Sequence, residues 1–157
     1  PEKYPVPDED STASFLSETW KLLEQLGFEQ YEISNFAKEE NHCQHNLDFW
    51  NGHDYLGFGL GATSRVGVTI RENSADLKKY LQKLSFTSRD LSEQETNTFK
   101  LISAMRLNRP FEAEYRVTLP GETLPRELVD GRLINPDYRL TKSGKLLYNQ
   151  VVNYILK

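Results

Sequence analysis

The sequence predicts an α/β (α+β) fold whose C-terminal end is a small winged-helix-like unit, and three observations carry that prediction. A helical pattern ending at Gly27 runs directly into the aromatic and β-branched segment Phe28-Glu29-Gln30-Tyr31-Glu32-Ile33-Ser34, and a helix followed at once by a strand is α/β grammar. Past residue 85 the pattern changes to helices, a short hairpin and a closing helix. The 157 residues are 38% hydrophobic and 27% charged, enough for one ordinary domain or two small ones packed together around a core. A division into residues 1–85 and 86–157 is expected from the change in pattern.

Residues 1–9 contain three prolines and read as an extended lead-in, with Asp10 or Ser11 placed to cap a helix over residues 12–26. Phe15, Leu16, Leu22, Leu23 and Leu26 recur on one face at helical spacing, and Gly27 suits a left-handed C-terminal stop. After strand 28–34, residues 35–52 are polar around Glu39-Glu40-Asn41 and read as a loop, a length that is often functional. The segment Tyr55 to Ala62 carries glycine at 57, 59 and 61, which strips one face of any strand it forms and implies a close approach by a neighbour or a ligand. Val66 to Ile70 reads as another strand, and Ser74 is placed to cap a short helix carrying Leu77, Tyr80, Leu81 and Leu84.

Ser92-Glu93-Gln94-Glu95 has the spacing of a capping box and starts a helix to about Leu107 that buries Phe99, Ile102 and Met105. Pro110, Pro120 and Pro125 then leave room only for short helical pieces around Ala113 and Glu127. Arg132 to Ile134, Asn135-Pro136-Asp137 and Tyr138 to Leu140 read as strand, turn and strand. Thr141 caps a final helix with Leu147, Val151, Tyr154 and Ile155 on one face.

Residues 1–85 hold 8 Lys/Arg against 14 Asp/Glu and residues 86–157 hold 11 against 9, net −6 and +2. A mild positive excess is far from the dense basic surface that phosphate neutralisation requires, so nucleic acid is not the expected partner. A nucleic-acid or protein interaction module in residues 86–157 is the alternative function, resting on the hairpin and that +2. No apolar run approaches a membrane span and no charged leader precedes an apolar stretch, so a soluble, cytoplasmic protein is expected. The single cysteine, Cys43, excludes an internal disulfide and four-cysteine iron–sulfur ligation, and suits a reducing compartment. With Pro1 first and Met105 as the only methionine, the chain is expected to be part of a longer protein.

His42, Cys43, His45 and His53 gather all the imidazole and thiol of the chain within twelve positions. These are soft donors for zinc, iron or haem iron, although no zinc-ligand spacing is present and loop histidines are commonly solvated or capping. The surroundings of His45 sharpen the haem reading, because Phe49 and Trp50 follow it by four and five residues. Aromatic faces can bury a macrocycle while an imidazole binds its iron, and Lys38 or Arg65 can meet propionates. The competing reading makes Phe49 and Trp50 core anchors that hold the loop down.

Tyr31-Glu32-Ile33-Ser34-Asn35-Phe36-Ala37, then His45-Asn46 with Phe49-Trp50, then Tyr55-Leu56-Gly57-Phe58-Gly59 and Gly61-Ala62, occur in an order and spacing that resembles the HemW-like family. These are radical-SAM relatives of oxygen-independent coproporphyrinogen III oxidase. The resemblance runs over roughly residues 8 to 157 and includes Leu140-Thr141-Lys142-Ser143-Gly144. The family motif is His-Asn-x-x-Tyr-Trp, and Phe49 in the tyrosine place removes a phenol. Thr63 stands where the family commonly has a histidine, so no role for that second histidine carries over. The stretch between Pro110 and Pro125 is short for the family, which implies a reduced C-terminal domain.

The resemblance implies the last helix and strand of a partial β/α radical-SAM barrel in residues 12–34, a C-terminal domain in residues 86–157, and an N-terminal barrel region elsewhere. It further implies haem as a candidate cofactor, with His45 as candidate iron ligand and Asn46, Phe49 and Trp50 around it; Cys43 and His42 are the rival ligands. S-adenosylmethionine and a 4Fe–4S cluster are implied for the full-length protein, with Ala37 at the edge of the S-adenosylmethionine site. The implied role is in haem or porphyrin metabolism, as a haem chaperone passing haem to acceptor proteins or as the oxidase, and this chain alone is expected to be inactive.

Overall fold

The structure is a computed structural model that describes Tyr4 and residues 6–83, 85–110 and 124–156. It mixes helices with two small antiparallel sheets. Helix α1 (Glu9–Gln25) starts a turn earlier than the sequence suggests, because Asp8 is the N-cap: its carboxylate accepts from Ser11 N at 2.7 Å. That start puts Glu9 and Asp10 in the first turn, where acids suit the helix dipole. Gly27, at φ +78°, ends the helix as expected, with Phe28 N donating to Leu23 O. The apolar pattern misleads on orientation. Trp20 is the buried residue of α1, whereas Phe15, Leu22 and Leu26 face outward.

Strand β1 (Glu29–Glu32) is shorter than the expected 28–34 because the chain reverses at Ile33-Ser34 into β2 (Asn35–Ala37), which pairs back so that Ala37 lies opposite Glu29. Glu32 makes the reversal, its Oε1 accepting from Ser34 N at 2.7 Å and Asn35 Nδ2 at 2.6 Å. Within the segment expected to be loop, α2 (Gln44–Trp50) forms a short helix.

Next comes a three-stranded antiparallel meander of β3 (Thr63–Val66), β4 (Thr69–Asn73) and β5 (Phe86–Asp90). The single strand expected over Val66–Ile70 is instead a hairpin, with Val66 opposite Thr69 across Gly67-Val68. Gly67, at φ +58°, supplies the left-handed backbone that a two-residue hairpin turn needs. Strand β5 was not expected and lies past residue 85, yet it is hydrogen-bonded along β4. Helix α3 (Leu77–Lys83) starts from Asp76 rather than Ser74, since Asp76 Oδ1 accepts from Lys79 N at 3.1 Å. Leu77 and Leu81 are exposed rather than packed, and Leu84 lies outside the described residues.

Helix α4 (Glu93–Ala104) carries the predicted capping box between Ser92 and Glu95. It stops before Leu107, and the tail that follows lies along β1: Ile33 N donates to Arg106 O and Asn108 N to Tyr31 O. The helical piece near Glu127 is α5 (Arg126–Asp130), while the one near Ala113 falls outside the described residues. The expected hairpin is reduced to one β-bridge, Ile134 to Leu140. The final helix is broken at Leu147 into α6 (Lys142–Leu146) and α7 (Tyr148–Ile155). Thr141 caps α6 as expected, but only Val151 and Ile155 of the proposed face are buried. They join Leu101, Met105, Ile134 and Leu140 in the core of this half. Among the described residues no helix is long and apolar enough to cross a membrane.

Candidate functional site

The site residues sit on α2, a helix too short to be stable alone and therefore fixed by its contacts. Cys43 is its N-cap in extended backbone without a side-chain cap bond. The Tyr31 hydroxyl on β1 clamps this end, accepting from Cys43 N at 3.4 Å and Asn46 Nδ2 at 3.5 Å. At the other end the Arg106 guanidinium lies 4.2 Å from the centre of the Trp50 ring and 5.3 Å from that of Tyr148. Arg106 Nη2 also reaches Glu32 Oε2 at 3.3 Å and Ser34 Oγ at 3.1 Å. Glu32 is fully buried, so this charge is viable only because Arg106 and two N–H donors surround it. Burial pushes the neighbouring Tyr148 phenol up to about 12, and its hydroxyl donates to Ile102 O at 2.8 Å.

The three histidines have three different surroundings. His42 stacks on Tyr31 with ring centres 4.5 Å apart, and its Nε2 is buried without a hydrogen-bond partner. His53 Nδ1 lies 3.2 Å from Asp48 Oδ1, and Asp48 also accepts from Gln44 Nε2. His45 is exposed and engages no partner among the described residues. Cys43 is exposed as well; His53 is exposed but paired with Asp48, so His45 and Cys43 are the exposed soft donors whose side chains have no partner among the described residues. Among the described residues no group of three or more His, Cys, Asp or Glu is placed to hold a bare metal ion. Haem iron needs only one or two protein ligands, and a free exposed imidazole on an anchored helix fits that requirement.

The aromatic pair behaves partly as anchors. Phe49 and Trp50 meet edge-on, centres 4.8 Å apart and planes at 88°, and Phe49 also touches Tyr55 at 4.8 Å. Planes at that angle allow only one ring to lie flat on a macrocycle, and Trp50 already carries Arg106 on one face. Of the cations proposed for propionates, Lys38 lies 4.7 Å from the Phe28 ring centre. Arg65 is buried and does not reach a surface ligand: its guanidinium donates to the carbonyls of Gly52, His53 and Gly67 and packs on Phe99.

Ala37 is buried, but in β2 opposite the start of β1; Asn35, the first residue of β2, is the one paired with Glu32 at the C-terminal end of β1. In the glycine segment only Gly57 makes the expected close approach, since a Cβ there would lie 2.2 Å from Thr63 O. Gly59 and Gly61 face open space and are required for φ values of +102° and +68°. With one thiol, the chain does not supply the ligands of a 4Fe–4S cluster. Reading residue types missed Glu32, Arg106 and the clamp role of Tyr31. Two of these lie in the strand motif, whereas Arg106 follows a helix end with nothing local to mark it.

No family model matches the chain. A haem chaperone HemW from Buchnera aphidicola subsp. Schizaphis graminum is 32% identical over 98% of this chain and 45% of its own length. A haem chaperone HemW from Bacillus subtilis is 30% identical over 96% of this chain and 44% of its own. The chain thus spans less than half the length of the curated relatives it matches. Among solved structures, the coproporphyrinogen III oxidase HemN from Escherichia coli, described as a radical SAM enzyme, superposes with a TM-score of 0.67. At 18% identity it covers 94% of this chain and 41% of its own, a likeness of fold.

Proposed function

This chain is HemW-like over nearly its whole length, and on that premise we propose that it is the C-terminal region of a radical-SAM protein that binds haem and passes it on. Haem is then the cargo, and α2 is the element that receives it. His45 coordinates the iron, Phe49 lies against the macrocycle, and Asn46 and Trp50 hold the helix to β1 and Arg106. The observation that carries this reading is that His45 alone of the three imidazoles is exposed and unengaged among the described residues. S-adenosylmethionine and the cluster belong to the rest of the longer protein, with β2 (Asn35–Ala37) the segment of this chain assigned nearest the former. Residues 12–34 are the end of a partial barrel, and residues 86–157 form a reduced winged-helix-like domain. Acceptor proteins for haem are the expected partners, and the nucleic-acid alternative is not favoured by these relatives.

Titration of haem into the chain, followed by the Soret band, tests the assignment. The wild type should bind weakly, and His45→Ala should lose most of the spectral shift, while His42→Ala keeps it because that ring is stacked on Tyr31. An unaltered spectrum in His45→Ala together with a lost one in Cys43→Ala transfers the iron to the thiolate.

A further inference from the structure

Beside α2, on the face carrying Leu47 and Asn51, a cavity of about 240 Å3 opens between β1 and the tail of α4. Its polar lining includes Tyr31, His42, Asn51, Asn108 and Arg109, with Glu29 and Gln30 at β1 and Leu47 and Leu107 as apolar wall. The lining amide oxygens are already occupied by the protein's own cations. Asn51 Oδ1 accepts from Arg109 Nη2 at 2.5 Å, and Lys145 Nζ donates to Gln30 Oε1 at 2.6 Å and Asn108 Oδ1 at 2.9 Å. The Gln30 amide nitrogen is committed to Ile33 O at 2.9 Å.

What remains around the cavity is therefore a set of donors. Among the described residues the amide nitrogens of Asn51 and Asn108 have no partner, and the Tyr31 hydroxyl accepts two bonds, leaving its proton to give. His42 Nε2, a donor in its Nε2–H tautomer, is buried with no partner among the described residues. The Arg109 guanidinium makes no ion pair among the described residues, and Glu29, the carboxylate residue in the cavity lining, is not within ion-pair distance of it. A larger cleft on the other side of Gln30 differs in this respect, since its Lys142 is paired with Glu24 at 2.8 Å.

We propose that this cavity is a binding site for a short alkyl carboxylate. A carboxylate is a small group that only accepts, and it meets a guanidinium with two charge-assisted bonds. Leu47 and Leu107 suit its alkyl part, and the volume suits a chain of roughly three to five carbons, below the size of a drug-like pocket. The carboxylate is either a free acid or the propionate arm of a tetrapyrrole; only the second source rests on the haem reading above.

Amide-resolved NMR of the 157-residue chain titrated with sodium propionate, against sodium chloride and neutral propionamide, tests the site. Saturable shifts at Tyr31, His42 and Asn51 are expected with propionate alone, weakened about tenfold in Arg109→Gln. Arg109 is exposed, so that variant should keep the wild-type melting curve. Equal binding of propionamide, absence of saturable shifts, or shifts unchanged in Arg109→Gln overturns the proposal. Haem added to the propionate-saturated chain then identifies the source: displacement assigns the arm of the macrocycle, joint occupancy assigns a free acid, and both keep the cavity a carboxylate site. Loss of haem binding with retained propionate binding would sink the haem reading alone.

Discussion

Helix α1 and the C-terminal core show the same sequence signal meeting two different fates. Both carry apolar residues at helical spacing. In α4 with the residue that caps its end, and in α7, Leu101, Met105, Val151 and Ile155 are buried against Leu128, Ile134 and Leu140. In α1 the inward contact is Trp20, while Phe15 keeps 69% of its surface exposed and Leu22 and Leu26 more than half of theirs. Periodicity reports that a face is apolar; it does not report that the face is covered. Stability should accordingly concentrate in the C-terminal core and in the tie between β1 and the tail of α4.

The largest expected effect lies in that core. Leu101 is fully buried, so Leu101→Ala removes packed methyl groups and leaves a void, lowering unfolding stability by about 2–5 kcal/mol in urea denaturation. A loss under 1 kcal/mol would mean that this core is looser than its burial indicates.

The glycine segment sharpens the comparison at the next level, because its glycines fail for different reasons. Gly57→Ala drives a methyl group into the Thr63 backbone, where nothing can rotate away, at a cost of about 2–3 kcal/mol. Gly61→Ala meets no neighbour and carries only the left-handed backbone penalty of about 1 kcal/mol. Melting curves that rank Gly61→Ala below Gly57→Ala would place a close contact where the structure has open space.

Features set by residues close in sequence were legible. The Ser92–Glu95 capping box, the stop at Gly27 and the Thr141 cap depend on neighbours three or four positions away. The failures are set by pairing and packing rather than by residue type. Val66-Gly67-Val68-Thr69-Ile70 reads as a strand until Val66 is paired with Thr69, and β5 carries no apolar alternation because every residue in it is exposed. At the site, the cluster of His42, Cys43, His45 and His53 is visible in the sequence, but which imidazole is free is decided by the stacking of His42 on Tyr31 and the pairing of His53 with Asp48. The final helix breaks beside a contact between residues far apart in sequence. Leu147 leaves helical backbone where α6 turns to bring Lys145 to Gln30 and Asn108, and its burial there lowers the Lys145 pKa mainly by desolvation.

The smallest expected effect is on α1, and it tests the comparison most directly. Phe15 makes little contact to lose, and serine has a helix propensity close to that of phenylalanine, so Phe15→Ser should move unfolding stability by no more than about 0.5 kcal/mol. The side chain also touches neither Asp8, which caps the helix through Ser11 N, nor Gly27, which ends it, so the helix itself should persist by circular dichroism. Thr19 Oγ1 donates to the Phe15 carbonyl at 2.8 Å, a backbone contact that the substitution leaves in place. What should change is association, because an exposed aromatic between Leu22 and the start of the helix is an apolar surface that serine removes. Sedimentation velocity at rising concentration should show less self-association for Phe15→Ser than for the wild type. A loss of 2 kcal/mol or more, as for Leu101→Ala, would place Phe15 in a packed contact and dissolve the contrast between the two helical regions.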